Sequence, residues 1–352
     1  MDQIIPSIEA NVTSSAELLL SKYFENFRML KLPSDSIMGK IHRIKYENNR
    51  IYVSDTRSIF VFSDDGELES CIMKRGRGPG EYSSITDFMV DGETITVLDR
   101  SQKRLLTYDH AGETLSTRNL DYFAQAISPM IDYSFFLYYF DSRFSHYLRR
   151  VNDGREDSIY IAVADNQVKS NLLIFSVHNF YKYDNTIYFS KLVNDTVYKS
   201  IGGGNVKPFF RVDFKGKSIP SSFLNRQIDV MTFADDLYER SYAFGVNNFA
   251  LYDRFLMFNT FYKGYHKLTV FDRINEIPST YAAIRDDIYF EGLTISISDF
   301  KYFANSSIFV PLDSFDVFEW KNMHPPNDQY KEMVNATEEE DNPLLLIFDF
   351  KQ

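Results

Sequence analysis

The chain has 352 residues, of which 44% are hydrophobic and 25% charged, a composition that supports a packed core and argues against global disorder. Its formal net charge is −11. A surface this acidic repels phosphate backbones, so no nucleic-acid partner is expected. The 32 phenylalanines and 24 tyrosines favour β-structure, because aromatic side chains suit the half-buried surface of a strand.

Cys71 is the single cysteine, which excludes an intramolecular disulfide and a cysteine-based zinc site. It lies in an apolar, strand-like stretch and is predicted to be a buried, unreactive thiol. No apolar stretch approaches the roughly 20 residues that cross a bilayer, so no transmembrane span is expected. The N-terminus lacks the basic and apolar segments of a signal peptide, which leaves a cytoplasmic protein or an exported one whose signal was removed.

In chain order, residues 1–26 are predicted to be an N-terminal lead-in. Residues 27–32, Phe-Arg-Met-Leu-Lys-Leu, are predicted to form a strand that precedes the first repeated unit and has no unit of its own.

Two segments, residues 48–70 and 91–116, then share one pattern. Each reads as a turn, an alternating strand that ends in an aspartate (Asp55 or Asp99), a polar turn, a second strand, a glycine turn and a further strand. Several short strands in about 45 residues are typical of a four-stranded propeller blade. Less regular copies follow at residues 183–205 and 249–272, with an irregular unit at 135–163 and a last unit from 295 to 312.

Two stretches depart from the strand pattern. Residues 221–239 carry apolar side chains at helical spacing, which predicts a helical insertion between the fourth and fifth blades. Residues 329–340 are polar and favour a helix before a closing strand at 344–350.

A ring of blades needs its ends joined, because an open ring leaves unpaired strand edges. We therefore predict that residues 27–32 pair with residues 344–350 in the last blade. The count of units predicts one all-β domain over residues 1–352, a six-bladed β-propeller of four-stranded antiparallel blades with short helical insertions. Seven blades is the alternative if the irregular middle hides another unit.

Residues 76–82, Gly-Arg-Gly-Pro-Gly-Glu-Tyr, lie between the two clear repeats. This segment resembles the GxGPGEY hallmark of the Bacteroidetes six-bladed β-propeller family, which is related to NHL-repeat propellers; the strand end at 51–55 and the pattern at 340–345 are also similar to it. Members of that largely uncharacterised family are often exported lipoproteins of the cell envelope. The resemblance implies a periplasmic or outer-membrane-associated protein, with a lipid anchor if an upstream signal was removed.

Blade topology gathers basic and aromatic residues on one face. The turns between second and third strands and the connections between blades share this face, and they contain the ligand-binding candidates Arg57, Arg75, Arg77, Tyr82, Arg100, Lys103, Tyr262 and His266. Arginine binds carboxylates through two parallel donors, and tyrosine offers a stacking surface with a polar tip. The pattern favours an anionic or carbohydrate ligand.

Two alternatives remain open on this face. Arg57 and Arg100 could merely pair with Asp55 and Asp99, as surface arginines commonly do. Residues 76–82 could cradle an anion with their backbone amides or could form only the sharp turn that connects two blades.

The sequence assigns no catalytic residue, metal ligand or cofactor. The six histidines form no local metal-binding spacing, and no serine or cysteine nucleophile motif is present. The predicted function is a non-catalytic binding or scaffold module of the cell envelope that recognises a glycan, peptide or protein partner. The alternative is a metal-dependent hydrolase or lyase with a divalent metal in the central channel, for which Asp87, His178 and Asp299 are the candidate ligands.

Overall fold

The computed structural model describes residues 5–33, 38–130, 135–139, 148–152, 155–159, 180–191, 193, 195–202, 205–224, 232–291, 293–300, 302–304, 306–324 and 330–351. The N-terminal segment contains β1 (Ser7–Glu9), β2 (Glu17–Leu19), α1 (Leu20–Tyr23) and β3 (Phe24–Lys31). Each of the three strands joins a sheet that later parts of the chain form.

The first two blades are four-stranded antiparallel meanders that follow the predicted repeat. They consist of β4 (Arg43–Glu47), β5 (Arg50–Ser54), β6 (Ile59–Ser63) and β7 (Leu68–Ile72), and of β8 (Asp87–Asp91), β9 (Thr94–Asp99), β10 (Arg104–Asp109) and β11 (Thr114–Asn119). The β4–β5 turn places Asn48 and Asn49 at φ 52° and 57°. A two-residue hairpin requires this left-handed backbone, and asparagine tolerates it.

The next three blades have the same order of strands. They consist of β12 (Ala124–Pro129), β13 (Phe135–Tyr139), β14 (Leu148–Asn152) and β15 (Arg155–Ile159); of β16 (Phe180–Tyr183), β17 (Thr186–Ser190), β18 (Thr196–Ile201) and β19 (Asn205–Asp213); and of β20 (Ala243–Leu251), β21 (Phe255–Tyr262), β22 (Tyr265–Asp272) and β23 (Ile277–Tyr281). Strand β1 runs parallel to β19 and widens the fourth blade to five strands.

The chain closes the ring in the last blade. After a small sheet of β24 (Ala283–Arg285), β25 (Thr294–Ile295) and the parallel strand β2, the sixth meander contains β26 (Tyr302–Ala304), β27 (Ser307–Leu312), β28 (Leu344–Phe350) and β3. Strands β28 and β3 are antiparallel, with Leu344 opposite Lys31 and Phe350 opposite Phe24. The prediction that an N-terminal and the C-terminal strand share the last blade is confirmed.

The propeller architecture is also confirmed, and the blade count is the predicted alternative of seven. The described strands form seven sheets. Six of the sheets are four-stranded meanders, and β1 widens one of them to five strands. The first strand of each of these six sheets lines the central channel. The seventh is the three-stranded sheet of β2, β24 and β25. Its strands have two or three residues, which is too short to show an alternating pattern.

Besides α1, helices occupy two later connections of the described chain. The segment between the fourth and fifth blades contains α2 (Ser221–Leu224) and α3 (Phe233–Glu239), and the segment between β27 and β28 contains α4 (Ser314–Met323) and α5 (Lys331–Asn335). Helix α4 was not expected. Asp313 caps it by accepting a hydrogen bond from the Phe315 amide at 3.0 Å. No helix in the described part of the chain is long and apolar enough to cross a membrane.

Aromatic side chains fill the spaces within and between blades. Phe24 of the closing strand contacts Phe300, Phe348 and Phe350 at ring-centroid distances of 5.1–5.5 Å. Such contacts join the N-terminal strand to the C-terminal blade through apolar burial and ring–ring packing. Cys71 is half-buried rather than fully buried, and desolvation raises the pKa of its thiol to about 11, so the thiol is protonated and unreactive at neutral pH.

Candidate functional site

The connection between the first two blades, residues 73–86, is hydrogen-bonded to a turn in each blade. On the first-blade side, the Ile85 amide donates to Thr56 O at 2.8 Å. On the second-blade side, Ser83 donates to the Asp99 carboxylate, and Gln102 Nε2 donates to Gly76 O at 3.2 Å. These bonds hold three polar segments of the predicted face as one surface.

The glycine-rich part of this connection is filled by its own glutamate. Glu81 Oε2 accepts a hydrogen bond from the Gly78 amide at 2.8 Å. A side chain at Gly76 would collide with the same carboxylate. The Gly76 amide donates to Tyr82 O at 2.8 Å. Glu81 and Tyr82 thus already accept the hydrogen bonds of the Gly78 and Gly76 amides, which favours the interpretation of this segment as a structural turn.

Tyr82 anchors this turn in the protein interior. Its side chain is completely buried, and its hydroxyl donates to Arg57 O at 2.7 Å or Ile72 O at 2.9 Å. Burial raises the pKa of the Tyr82 phenol well above its usual range. A buried ring cannot stack on a ligand, so Tyr82 positions the loop instead of binding a ligand as predicted.

The aspartates that end the second strands hold turns and do not pair with the neighbouring arginines. Asp55 Oδ1 accepts the amides of Arg57 and Ser58 at 3.0 and 2.8 Å. Asp99 accepts from Ser83 and from the amide and side chain of Gln102. The interpretation that Arg57 and Arg100 merely form ion pairs with these aspartates is therefore wrong.

Five predicted cations lie on the three joined segments. We call Arg57, Arg75, Arg77, Arg100 and Lys103 the basic arc. Arg57, Arg75 and Arg77 are exposed, and none of the five has a carboxylate within 4.0 Å in the described part of the chain. Arg100 Nε is buried without a hydrogen-bond partner, and desolvation lowers the pKa of this guanidinium.

An aromatic ring that the sequence analysis missed borders the basic arc. Phe123, in the connection after the second blade, is 40% exposed. Lys103 Nζ lies 4.3 Å from its ring centroid, and Arg100 Cζ lies 5.8 Å from it. At these distances the negative face of the ring attracts both cations. Phe123 follows a strand that ends at Asn119, and its position between blades is the signal that could have revealed it.

Seven basic residues elsewhere on the surface form close pairs with acids. Such pairs, with N–O distances of 2.6–3.0 Å, are Arg28–Asp64, Lys31–Asp341, Arg50–Glu69, Arg211–Asp195, Lys215–Glu9, Arg254–Asp272 and Arg285–Glu17. The basic arc differs from these pairs because its charge is not neutralised locally. In a chain of net charge −11, this is an arrangement suited to an anionic partner.

The remaining predicted residues lie on the same face but on another blade. Tyr262 and His266 flank the β21–β22 turn of the fifth blade, where His266 packs 4.0 Å from the Phe261 ring centroid. Nearby, Tyr265 is 72% exposed, and Lys263 Nζ lies 6.0 Å from the Tyr238 ring of α3. The structure brings five of the eight candidates together in the basic arc and leaves Tyr262 and His266 apart from it.

An acidic pocket on this face was also missed. A cavity of about 450 Å³ is lined by residues that include Asp299, Asp313 and Asp316 together with Lys40. Desolvation, and then the charges of Asp313 and Asp299, raise the pKa of Asp316. The face therefore has an acidic region beside the basic and aromatic groups that the sequence predicted for it.

The two described channel candidates for metal binding, Asp87 and Asp299, have different surroundings. Asp87 Oδ1 lies 3.3 Å from Arg43 Nε and 3.8 Å from Lys45 Nζ, so two cations already face it. Asp299 lines the acidic pocket, and His178 lies outside the described residues. Within the described ranges, no group of three or more histidine, cysteine or acidic residues could hold a metal ion.

Comparisons with known proteins identify a family and a fold. Residues 3–349 match the model of DUF4934, a domain of unknown function. A crystal structure from Bacteroides fragilis, of a protein described as exported, is 18% identical with a TM-score of 0.74 and covers 98% of this chain and 99% of its own. A member of the DUF4221 family from Bacteroides vulgatus is 13% identical with a TM-score of 0.52, covering 93% and 97%. No curated protein matches the sequence.

Proposed function

The chain belongs to the DUF4934 family, and from that premise we propose that it is a non-catalytic binding propeller of the bacterial cell envelope. Its basic arc recognises an anionic partner, and the partner class that we favour is a carboxylate-bearing glycan. The envelope location is supported by the family resemblance of residues 76–82 and by the exported description of the Bacteroides fragilis protein.

The observation that carries the proposal is the unneutralised charge of the basic arc. Five cations stand on three segments that hydrogen bonds join into one surface. Arginine presents planar, paired donors that match a carboxylate. Because Asp55, Asp99 and Glu81 accept hydrogen bonds from the loop amides, the backbone that carries these donors needs little ordering on binding.

Phe123 favours a glycan over an acidic peptide. An exposed ring beside Arg100 and Lys103 offers an apolar surface for the C–H face of a sugar, while the cations bind its carboxylate. A uronic-acid glycan combines both features in every residue. An acidic peptide satisfies the cations alone and needs no aromatic ring.

The test measures binding of immobilised oligogalacturonate by surface plasmon resonance. Replacing Arg57, Arg77 and Arg100 by alanine together should weaken binding by at least about tenfold, the equivalent of roughly 1.4 kcal/mol. The matched control replaces Arg50, Arg211 and Arg285, which are paired with acids elsewhere, and changes the net charge by the same amount.

The control triple variant should bind within about twofold of the parent, because its arginines lie outside the basic arc. Equal loss in both triple variants would show that net charge alone governs binding and would contradict the proposal. Binding of polyglutamate with the same arc dependence, and none of oligogalacturonate, would replace the glycan by an acidic peptide.

The alternative of a metal-dependent hydrolase or lyase stays a prediction with its own measurement. Elemental analysis of protein purified without chelator should find no stoichiometric divalent metal if the binding proposal holds. One tightly held metal ion per chain would favour the alternative.

A further inference from the structure

A second cavity lies at the opposite face, in the mouth of the central channel. Its volume is about 340 Å³, within the range of about 300–1,000 Å³ that is typical of small-molecule sites. Each of the six channel-lining strands contributes to its wall, through residues that include Lys45, Val90, Ser128, Lys182, Asn248 and Phe303. The cavity is not part of the basic arc.

One ion pair spans this mouth. Lys182 Nζ of the fourth blade lies 3.5 Å from Glu47 Oε1 of the first blade. These two side chains neutralise each other and join blades that are three positions apart in the ring. The distribution of charge around the cavity therefore depends on the other charged residues of its wall.

Lys45 brings a positive charge to the wall formed by the first two blades. The buried Asp87 carboxylate is shared between Arg43 Nε at 3.3 Å and Lys45 Nζ at 3.8 Å, so two cations face one anion. The side chain of Lys45 is 31% exposed and lines the cavity. Its ammonium group can therefore form an ion pair with a further anion.

The fourth blade places a negative charge at the rim. Asp184 and Asn185 form the two-residue turn between β16 and β17, with φ 43° and 60°. Asp184 is exposed, lines the cavity, and has no ion pair within 4.0 Å in the part of the chain that the structure describes. The mouth is thus positive at the first-blade wall and negative at the fourth-blade rim.

We propose that the channel mouth binds a small zwitterion of about dipeptide size. The free carboxylate of the ligand pairs with Lys45, and its free ammonium group pairs with Asp184. Apolar wall residues, among them Met89, Val90 and Phe249, contact the apolar side chain of the ligand. This site goes beyond the proposed glycan-binding function and lies on the other face of the ring.

Isothermal titration calorimetry with glycyl-leucine tests the proposal, with acetyl-glycyl-leucine and glycyl-leucine amide as ligands that lack one charge each. Glycyl-leucine should bind, and each blocked ligand should bind at least about tenfold more weakly. Lys45→Met should remove the preference for a free carboxylate, and Asp184→Asn should remove the preference for a free amine. Asp87 keeps Arg43 in the first variant, so its charge remains paired.

The matched controls are Lys207→Met and Asp213→Asn on β19, away from the channel-lining strand of the fourth blade, and they should not change any of the three affinities. The Arg57, Arg77 and Arg100 triple variant should also bind glycyl-leucine normally, which separates this proposal from the proposed glycan site. No heat at glycyl-leucine concentrations up to about 10 mM, equal affinity for all three ligands, or affinities unaltered by Lys45→Met and Asp184→Asn would each overturn it. Thermal melts of both variants show whether they fold.

Discussion

At the scale of single residues, carboxylates shape the loops more than they pair with arginines. Asp99 is completely buried, and it accepts hydrogen bonds from the Ser83 and Gln102 amides at 2.6 and 3.1 Å. A buried amide that loses its acceptor destabilises the fold, because water cannot replace the lost bond. The position of the basic arc therefore depends on buried acids beneath it.

Asp99→Ala tests this dependence. The variant leaves at least two amides without an acceptor, and we expect the free energy of unfolding in urea to fall by about 2–5 kcal/mol. Asp99→Asn keeps one carbonyl oxygen and should recover part of the loss. A change within about 0.5 kcal/mol for Asp99→Ala, the range of ordinary surface substitutions, would contradict the structural role of this carboxylate.

Lys191, in the fourth blade, predicts a specific pH dependence. Burial lowers the pKa of its ammonium group from 10.5 to about 8, against a smaller opposing effect of Asp195. Between these two values the unfolded chain binds more protons at this residue than the folded chain, so its contribution to stability rises with pH. Below pH 8 both states are protonated, and the destabilising effect is complete.

Replacing this ammonium by Lys191→Met should raise Tm at pH 7. The difference in Tm between the variant and the parent protein should shrink as pH rises from 8 to about 10.5. Circular dichroism melts across this range provide the measurement, with Lys207→Met as the control. A difference that stays constant with pH would show that Lys191 is not desolvated in the folded protein.

At the scale of elements, closure of the ring depends on β28. This strand lies between β27 and β3, and Leu346 at its centre is completely buried opposite Val310 on one side and Met29 on the other. The strand therefore joins the first and last parts of the chain through one buried layer.

Leu346→Ala should lower the free energy of unfolding by about 2–5 kcal/mol, the usual effect of removing a buried leucine side chain. Leu115→Ala, on the outer strand β11 where the side chain is 55% exposed, is the matched control and should have an effect within about 0.5 kcal/mol. Urea unfolding of both variants measures the two effects. Similar small effects would contradict closure through β28.

The sequence predicted the elements that repeat or alternate and missed those that do neither. The first two blades repeat one alternating pattern, the closing strands were predicted because a ring needs its ends joined, and the structure contains both sets. Strands β24 and β25 have three and two residues, so no period can be seen in them. Helix α4 was detectable through Asp313 followed three residues later by Asp316, a pattern typical of a helix N-terminus.

The candidate site could be predicted only in part, for a different reason. The order of strands in a blade decides on which face of the propeller each turn lies. The sequence could therefore predict that the residues of the basic arc share one face. Whether a side chain in a loop is exposed depends on packing from other blades. Tyr82 is buried by such packing, whereas Phe123 is left exposed, and neither outcome is visible in the local sequence.

At the scale of the whole molecule, local and net charge act in opposite directions on an anionic partner. The net charge of −11 repels the partner at long range, while the basic arc attracts it at contact. Charges on the surface are screened beyond about 8 Å at physiological ionic strength. The basic arc should therefore dominate once the partner is bound, and low salt should not strengthen binding as strongly as it does for a basic protein.

Hydrogen–deuterium exchange with and without an oligogalacturonate ligand tests the central claim most directly, because it locates the bound surface. We expect slower exchange in residues 73–86 and 100–103, which carry most of the basic arc, and unchanged exchange in the turns at 48–49 and 184–185 on the opposite face. Slower exchange confined to the opposite face, or no change in any described segment at saturating ligand, would contradict it.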